Sequence, residues 1–396
     1  MHPKFSGRFR DPEEVARGGM GAIEAAHDEL IGRQVAIKTL HPVLREDERA
    51  VLRFVEEARI TGQLEHPNVV PIYDLGETAA EPFIVMRLIQ GKSLAQVLDQ
   101  SAKPATSVEL ADLLQRFVQI LLRVCDALSF AHGRGVFHCD VKPDNIMVGD
   151  YGQVYLMDWG VALTDQPREG FGGTVAYMAP EQLLGDTDNI DARTDVFGLG
   201  GVLYEILTGT APNHGNAVFE AARGHGRLTF SARDLWTRLP PELCRIAAKA
   251  LSPERAQRYP SVATLRADLD QFMKGGGWFD TLTAKAGDTI VTEGEAGDEA
   301  YIIQTGSCEV WKNIQGRPTL IRSLGPGDVF GEAAVFAHSP RTASIVATAD
   351  LTLTVVTGES LNHELDQNPN LAAFVRSLAN LFCETDAALS ARGREP

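Results

Sequence analysis

Between residues 47 and 64 apolar side chains recur at near-helical intervals, at Val51, Phe54, Val55, Ala58 and Ile60, with Glu56 and Glu57 among them. Apolar residues three and four apart share one face of a 3.6-residue turn, so this stretch predicts an amphipathic helix. Pro82 to Met86 is a short unbroken apolar run and predicts a buried strand. From Val108 to Ala131 the pattern is apolar nearly all round, opened by the capping-box spacing Thr106 to Glu109 and closed by Gly133 and Gly135, as in a helix buried inside a domain. Further helices are expected over Asp195 to Leu207 and Ser261 to Met273. Lys274 is followed by Gly275, Gly276 and Gly277, whose backbone entropy disfavours an ordered element, so a linker is placed at 275–278.

After residue 279 the period changes. Short runs of about five residues, Ala300 to Gln304, Thr319 to Leu324, Ala343 to Thr348 and Leu351 to Val356, are separated by turns carrying Gly294, Gly297, Gly306, Gly316, Gly325 and Gly327. This predicts an antiparallel barrel or jelly roll. From Glu359 to about Leu389 helical spacing returns, broken at Asn368 and Pro369. The fold class is therefore α+β, in two domains, 9–274 and 279–390.

Composition narrows the class further. A chain of 396 residues with 44% apolar content exceeds the ~150 residues usual for one domain. Its net charge of −16 divides about evenly on either side of residue 275, which argues against a nucleic-acid partner. The five cysteines are scattered without a C-x-x-C pair, which fits a reducing cytoplasm rather than a disulfide or zinc framework. The first residues lack the apolar core of a signal peptide, and no apolar run approaches the ~18 residues of a membrane helix, so no membrane partner is expected.

The candidate chemistry is concentrated in His138-Cys139-Asp140-Val141-Lys142-Pro143-Asp144-Asn145 and, thirteen residues on, Asp158-Trp159-Gly160. Two carboxylates, a lysine and an amide at this spacing are the parts needed to hold metal-bound ATP beside a hydroxyl nucleophile. Asp158 and Asn145 are hard oxygen donors suited to magnesium, with manganese as the alternative ion. Upstream, Val35-Ala36-Ile37-Lys38 follows a glycine cluster at Gly18, Gly19 and Gly21, whose backbone amides are able to approach phosphate. A dinucleotide-binding reading of those glycines needs a strand before and a helix after them, and the next element is the Val35 strand instead.

Together with Met178-Ala179-Pro180-Glu181, these motifs make residues 9–274 resemble a serine/threonine protein kinase of bacterial type, with its two-lobed fold. The resemblance implies ATP as phosphoryl donor and protein serine or threonine as acceptor. Lys38 then meets the α and β phosphates and Glu57 pairs with it. Asp140 orients the acceptor hydroxyl, Lys142 lies beside the transferring phosphate, and Thr174 supports both. Ile23 roofs the adenine, Ala36 lines its slot, and Met86 takes the gatekeeper position. Asp195 and Arg258, the latter paired with Glu181, are implied to be architectural.

The departures are specific. Ala16 replaces the first glycine of the lid, and Arg87 replaces a common acidic residue at the hinge. Trp159 replaces phenylalanine and is expected to bias its segment toward an inactive arrangement. Cys139 replaces the arginine whose cation receives a phosphate on the activation segment, so activation is expected without phosphorylation of that loop, where Thr164 is the one hydroxyl before Thr174. These departures also motivate a rival reading, an ATP-holding scaffold that relays nucleotide levels by protein contacts; retention of Asp140 and Asp158 weighs against it.

In the second domain Phe330-Gly331-Glu332-Ala333-Ala334, followed by Pro340-Arg341-Thr342-Ala343, resembles the phosphate-binding cassette of cyclic nucleotide-binding domains. Free amides after Gly331, including that of Ala333, and the Arg341 cation suit a cyclic phosphate, while Glu332 suits a ribose hydroxyl. Thr342 is placed to meet the base, leaving cyclic AMP and cyclic GMP both open. A transcription factor of the cyclic AMP receptor type continues into a helix-turn-helix, for which residues up to Pro396 leave no room, so the expected output is the kinase.

Overall fold

The computed structural model of the chain describes residues 7–18, 20–78, 81–101, 107–160, 162, 174–212, 239–274, 279–314, 316–332, 335, 340–366, 370, 372–375 and 377–378. Two compact units emerge: residues 1–103, 115–237 and 244–271 in the first, and the remainder, chiefly 272–396, in the second. Thr106, Thr164, Gly19, Ala333 and the 275–278 linker lie outside the described residues.

The first unit opens with a five-stranded antiparallel sheet in the order β1 (Phe9–Arg17), β2 (Gly21–Asp28), β3 (Arg33–Leu40), β5 (Glu81–Arg87), β4 (Ile72–Thr78). Strand β5, paired on both sides by β3 and β4, buries Phe83 to Met86 in succession, which explains its unbroken apolar sequence. One sheet face packs Phe9, Ala26, Val35, Ile37, Phe83 and Val85 together. The other receives helix α1 (Glu48–Gln63), whose Phe54 and Ala58 join Leu40 and Ile84. Asp47 caps α1 by accepting from the amides of Arg49 and Ala50, which satisfies donors that have no partner within the helix. The α1 stripe also carries Glu57 inward, a carboxylate buried among apolar neighbours.

The remainder of this unit is mainly helical: α2 (Leu94–Gln100), most of α3 (Ser107–His132), α4 (Pro180–Leu183), α5 (Ala192–Thr208), and most of α6 (Pro241–Ala250) and α7 (Val262–Met273). A small sheet of β6 (Gly91–Ser93), β7 (Ile146–Gly149) and β8 (Val154–Leu156) carries the loops of interest. Helix α5 buries nearly its whole length despite three glycines. Those glycines permit close approach: a Cβ on Gly198 would stand 2.9 Å from Cβ of Val141, so α5 presses directly on the loop that holds Asp140. Glu181 and Arg258 form a bidentate pair at 2.8 and 2.9 Å, both side chains almost fully buried. Ser252, Pro253 and Arg193 carbonyls take further donors of the guanidinium.

The second unit holds two four-stranded antiparallel sheets. One runs β10 (Thr289–Val291), β15 (Ser344–Ala347), β12 (Cys308–Ile314), β13 (Arg317–Leu324), and the other β14 (Val329–Phe330), β11 (Glu299–Thr305), β16 (Leu351–Thr357), β9 (Asp280–Ala284). Alternate residues of both sheets, among them Tyr301, Ile303, Val310, Phe330, Ile345 and Leu353, meet in one core. Among the described residues the two ladders stay open, so the jelly-roll alternative describes them better than a closed barrel. Helix α8 (Gly358–Asp366) follows β16. Among the described residues no helix is long and apolar enough to cross a membrane.

Candidate active site

The strand β3, the helix α1 and the turn after β8 converge on three charges. Lys38 Nζ lies 2.6 Å from Oε1 of Glu57, nineteen residues later, and 3.8 Å from Oδ1 of Asp158. Burial works against the Lys38 charge, but the carboxylates of Glu57 and Asp158 outweigh it and hold the ammonium's pKa above the ordinary lysine value. Burial pushes the Glu57 carboxyl upward; Lys38 opposes that shift, and we take the lysine as the charged partner the site depends on. Asp158 adopts a left-handed backbone with φ of 60°, a conformation disfavoured for residues other than glycine, and its carboxylate is half-exposed.

Asp140 sits in a cage of donors. Its Oδ1 accepts from the amide of Thr174 at 2.9 Å; its Oδ2 accepts from Lys142 Nζ at 2.7 Å and from Asn145 Nδ2 at 3.1 Å. A carboxylate offers about four lone-pair sites, so one acceptor position remains for a hydroxyl proton. Lys142 Nζ also donates to Thr174 Oγ1 at 2.6 Å, which leaves one of its three N–H groups for a phosphate oxygen. The amide nitrogen of Asn145 is committed to Asp140, to its carbonyl at 2.8 Å as well as its carboxylate. Its oxygen is thereby left as a hard donor of the same kind as the Asp158 carboxylate, and the two fit a divalent cation that takes oxygen ligands.

The loop bearing Asp140 is shaped from below by Asp195, which is 1% exposed on α5. Its Oδ2 accepts from the His138 amide at 2.8 Å and from His132 Nε2 at 2.7 Å, and its Oδ1 accepts from the Cys139 amide at 2.8 Å. Burial alone would raise its pKa, yet these donors hold the carboxyl below the ordinary aspartate value. They also hold Cys139 at φ of 64°, and Gln182 Nε2 donates to the Cys139 carbonyl at 2.7 Å.

Residues 9–268 match the protein kinase domain family, two-thirds of the chain. The chain belongs to that family. Residues 281–368 match the cyclic nucleotide-binding domain. Among curated relatives, the serine/threonine-protein kinase PknD of Protochlamydia amoebophila is 32% identical over 297 residues, covering 67% of this chain and 30% of the relative. The serine/threonine-protein kinase PknB of Mycolicibacterium smegmatis is 36% identical over 285 residues, covering 68% and 44%. The chain thus spans less than half the length of these relatives.

An apolar cluster gathers where β3 pairs with β5. Ala36 and Met86 cluster there with Val70, and Ile23 and Met157 pack against them. Val70 and Met157 carry no motif; the one sequence signal is that Met157 immediately precedes Asp158. Gly18 has open space where a Cβ would stand, whereas a Cβ on Gly21 would stand 1.8 Å from the Thr39 carbonyl oxygen. Gly21 is therefore required by the contact of β2 with β3, a packing reason separate from any approach to phosphate.

The glycine-bearing turn before β2 has an anchor that no motif announced. His41 Nε2 donates to the Gly18 carbonyl at 2.7 Å, and the His41 amide donates to the Met20 carbonyl at 3.0 Å. His41→Ala removes the first bond alone. Its KM for ATP is expected to rise about 2–5-fold with kcat little changed, the effect of one partly exposed hydrogen bond, as initial-rate kinetics will show.

In the second unit Arg341 lies in a groove walled by glycine. Its Nη1 donates to the carbonyls of Glu299 at 2.6 Å and Gly331 at 3.3 Å, and a Cβ on Gly297 would stand 2.4 Å from its Nε. Gly331, at φ of 80°, turns the chain at the start of the cassette. Glu332 is partly exposed and Thr342 exposed beside this groove.

Proposed function

We propose that the protein transfers the γ-phosphoryl group of ATP to serine and threonine hydroxyls of protein substrates, and that a cyclic nucleotide bound to its second unit sets the rate. The observation that carries the reading is the Asp140 cage: a carboxylate held by three donors, with one acceptor position left over, beside a lysine with one donor left over. The kinase domain is taken as 9–274, the linker as 275–278 and the nucleotide-binding domain as 279–390.

Asn145 and Asp158 would hold magnesium, or manganese, which supplies neutralisation of phosphate charge when bound. Lys38, steadied by Glu57, attracts the α and β phosphates, while Gly18, Gly19 and Gly21 bring backbone amides close and Ile23, Ala36 and Met86 enclose the adenine. Asp140 accepts the hydrogen bond of the incoming hydroxyl, aims its oxygen, and takes the proton as the bond to phosphorus forms. Lys142 stabilises charge on the transferring group, and Thr174 keeps Lys142 and Asp140 in mutual register. ADP leaves with the former bridging oxygen.

Gly331, Glu332, Ala333, Arg341 and Thr342 are assigned to the cyclic nucleotide, cyclic AMP or cyclic GMP. Ligand changes the rate only in so far as it binds two states of the kinase unequally. Transfer of radiolabelled phosphate from ATP to a serine- and threonine-containing protein acceptor, with and without each nucleotide, tests both halves. The expected result is transfer in every arm and a rate changed several-fold by at least one nucleotide. Absence of transfer overturns the enzyme, and an unchanged rate despite measured binding overturns the coupling.

A further inference from the structure

Trp159 is the largest fully buried side chain among the described residues, and its surroundings differ from what its size suggests. Enlarging the apolar plug after Asp158 was expected to favour an inactive segment. Instead the indole lies inside the fold while Asp158 stands 3.8 Å from Lys38 and Glu57 stays paired with that lysine. The ring fits because its polar edge is satisfied: indole Nε1 donates to the carbonyl of Leu156 at 3.3 Å. That bond spans the turn in which Asp158 adopts its left-handed backbone.

The other face of the arrangement is His138. Its ring centroid lies 4.6 Å from that of Trp159, with the planes inclined at 59°. His138 Nε2 donates to the Met157 carbonyl at 2.9 Å, and its Nδ1 accepts from the Asp140 amide at 3.2 Å. A carbonyl only accepts and an amide only donates, so both roles of the imidazole are fixed. Trp159 thus packs on a side chain that ties the backbone before Asp158 to the backbone of Asp140.

We infer that Trp159 is a positioning residue whose indole N–H latches the Leu156–Trp159 turn and so holds Asp158 ready for the metal–nucleotide complex. Phenylalanine would fill most of the same space but has no donor for Leu156. The latch supplies locally a restraint on Asp158 in a chain where Cys139 provides no cation for a loop phosphate. The inference rests on the proposed ATP site, but its test does not require phosphoryl transfer.

Two substitutions separate volume from hydrogen bonding. Trp159→Phe shrinks the ring and removes the donor; Trp159→benzothienylalanine keeps the bicyclic shape and removes the donor alone. Affinity for ATP is measured by calorimetry on the full chain, with magnesium and with chelator. For both variants the gain in affinity that magnesium brings is expected to fall about 3–10-fold, the scale of one net buried hydrogen bond, while metal-free affinity stays within about two-fold. Amide hydrogen exchange across residues 156–160 is expected to speed up in parallel. A benzothienylalanine protein with the wild-type magnesium gain and wild-type exchange overturns the latch. Wild-type protein that binds no ATP in either condition overturns the site itself, a distinguishable failure.

Discussion

Asp140→Asn is expected to slow phosphoryl transfer about 10²–10⁴-fold, the range associated with losing a positioned general base, while leaving ATP affinity within about two-fold. The asymmetry follows from geometry. Asp140 touches Thr174, Lys142 and Asn145, and none of its bonds reaches the Lys38–Glu57 pair that serves the nucleotide. An amide in its place keeps the shape but turns one acceptor into a donor, which must then face either the Lys142 ammonium or the Thr174 amide. It also cannot take the hydroxyl proton. Single-turnover transfer of radiolabelled phosphate, paired with equilibrium ATP binding, reads the two effects separately. A variant that transfers phosphate at the wild-type rate would exclude Asp140 from the chemistry.

How much of this was legible in the chain depends on how local each feature is. His138 to Asn145 form one short loop, so their meeting required only that the loop fold. Lys38 and Glu57 lie farther apart, yet Glu57 sits one turn from Phe54 and Thr61 on the buried stripe of α1, and an acid on an apolar stripe signals a buried partner. The alternation of the second unit indicated paired sheets with one core. It did not separate an open jelly roll from a closed barrel, because both bury every second side chain.

Other features were beyond the pattern for physical reasons. His41 follows β3 with no motif around it, and only the three-dimensional return of the lid places it under Gly18. Gly21 reads as a phosphate-loop glycine, but its need arises from the Thr39 carbonyl across the strand pair. The indole bond of Trp159 was not legible because a sequence reports the size of a side chain and not whether its polar edge finds an acceptor. Composition ranks an indole as an enlarged phenyl ring; the Leu156 carbonyl makes it a different residue.

The fold has a large stake in the Asp195 side chain. Asp195→Ala is expected to lower stability by about 3–5 kcal/mol, because the two buried amides of His138 and Cys139 and the part-buried ring of His132 lose their acceptor at once. Cys139 would also lose what keeps its backbone left-handed, so the loop that presents Asp140 should relax and kcat should fall with stability. The pH dependence has a definite sign. The folded carboxyl titrates below the ordinary aspartate value, so its contribution is fully present above that value and is lost as pH falls through the lowered folded one. In the variant that acid-dependent loss should be missing. Chemical denaturation across acidic pH, alongside transfer kinetics at neutral pH, measures both. A variant within about 1 kcal/mol of wild type would mean that water or neighbouring carbonyls rescue the donors, and that Asp195 is not what shapes the loop.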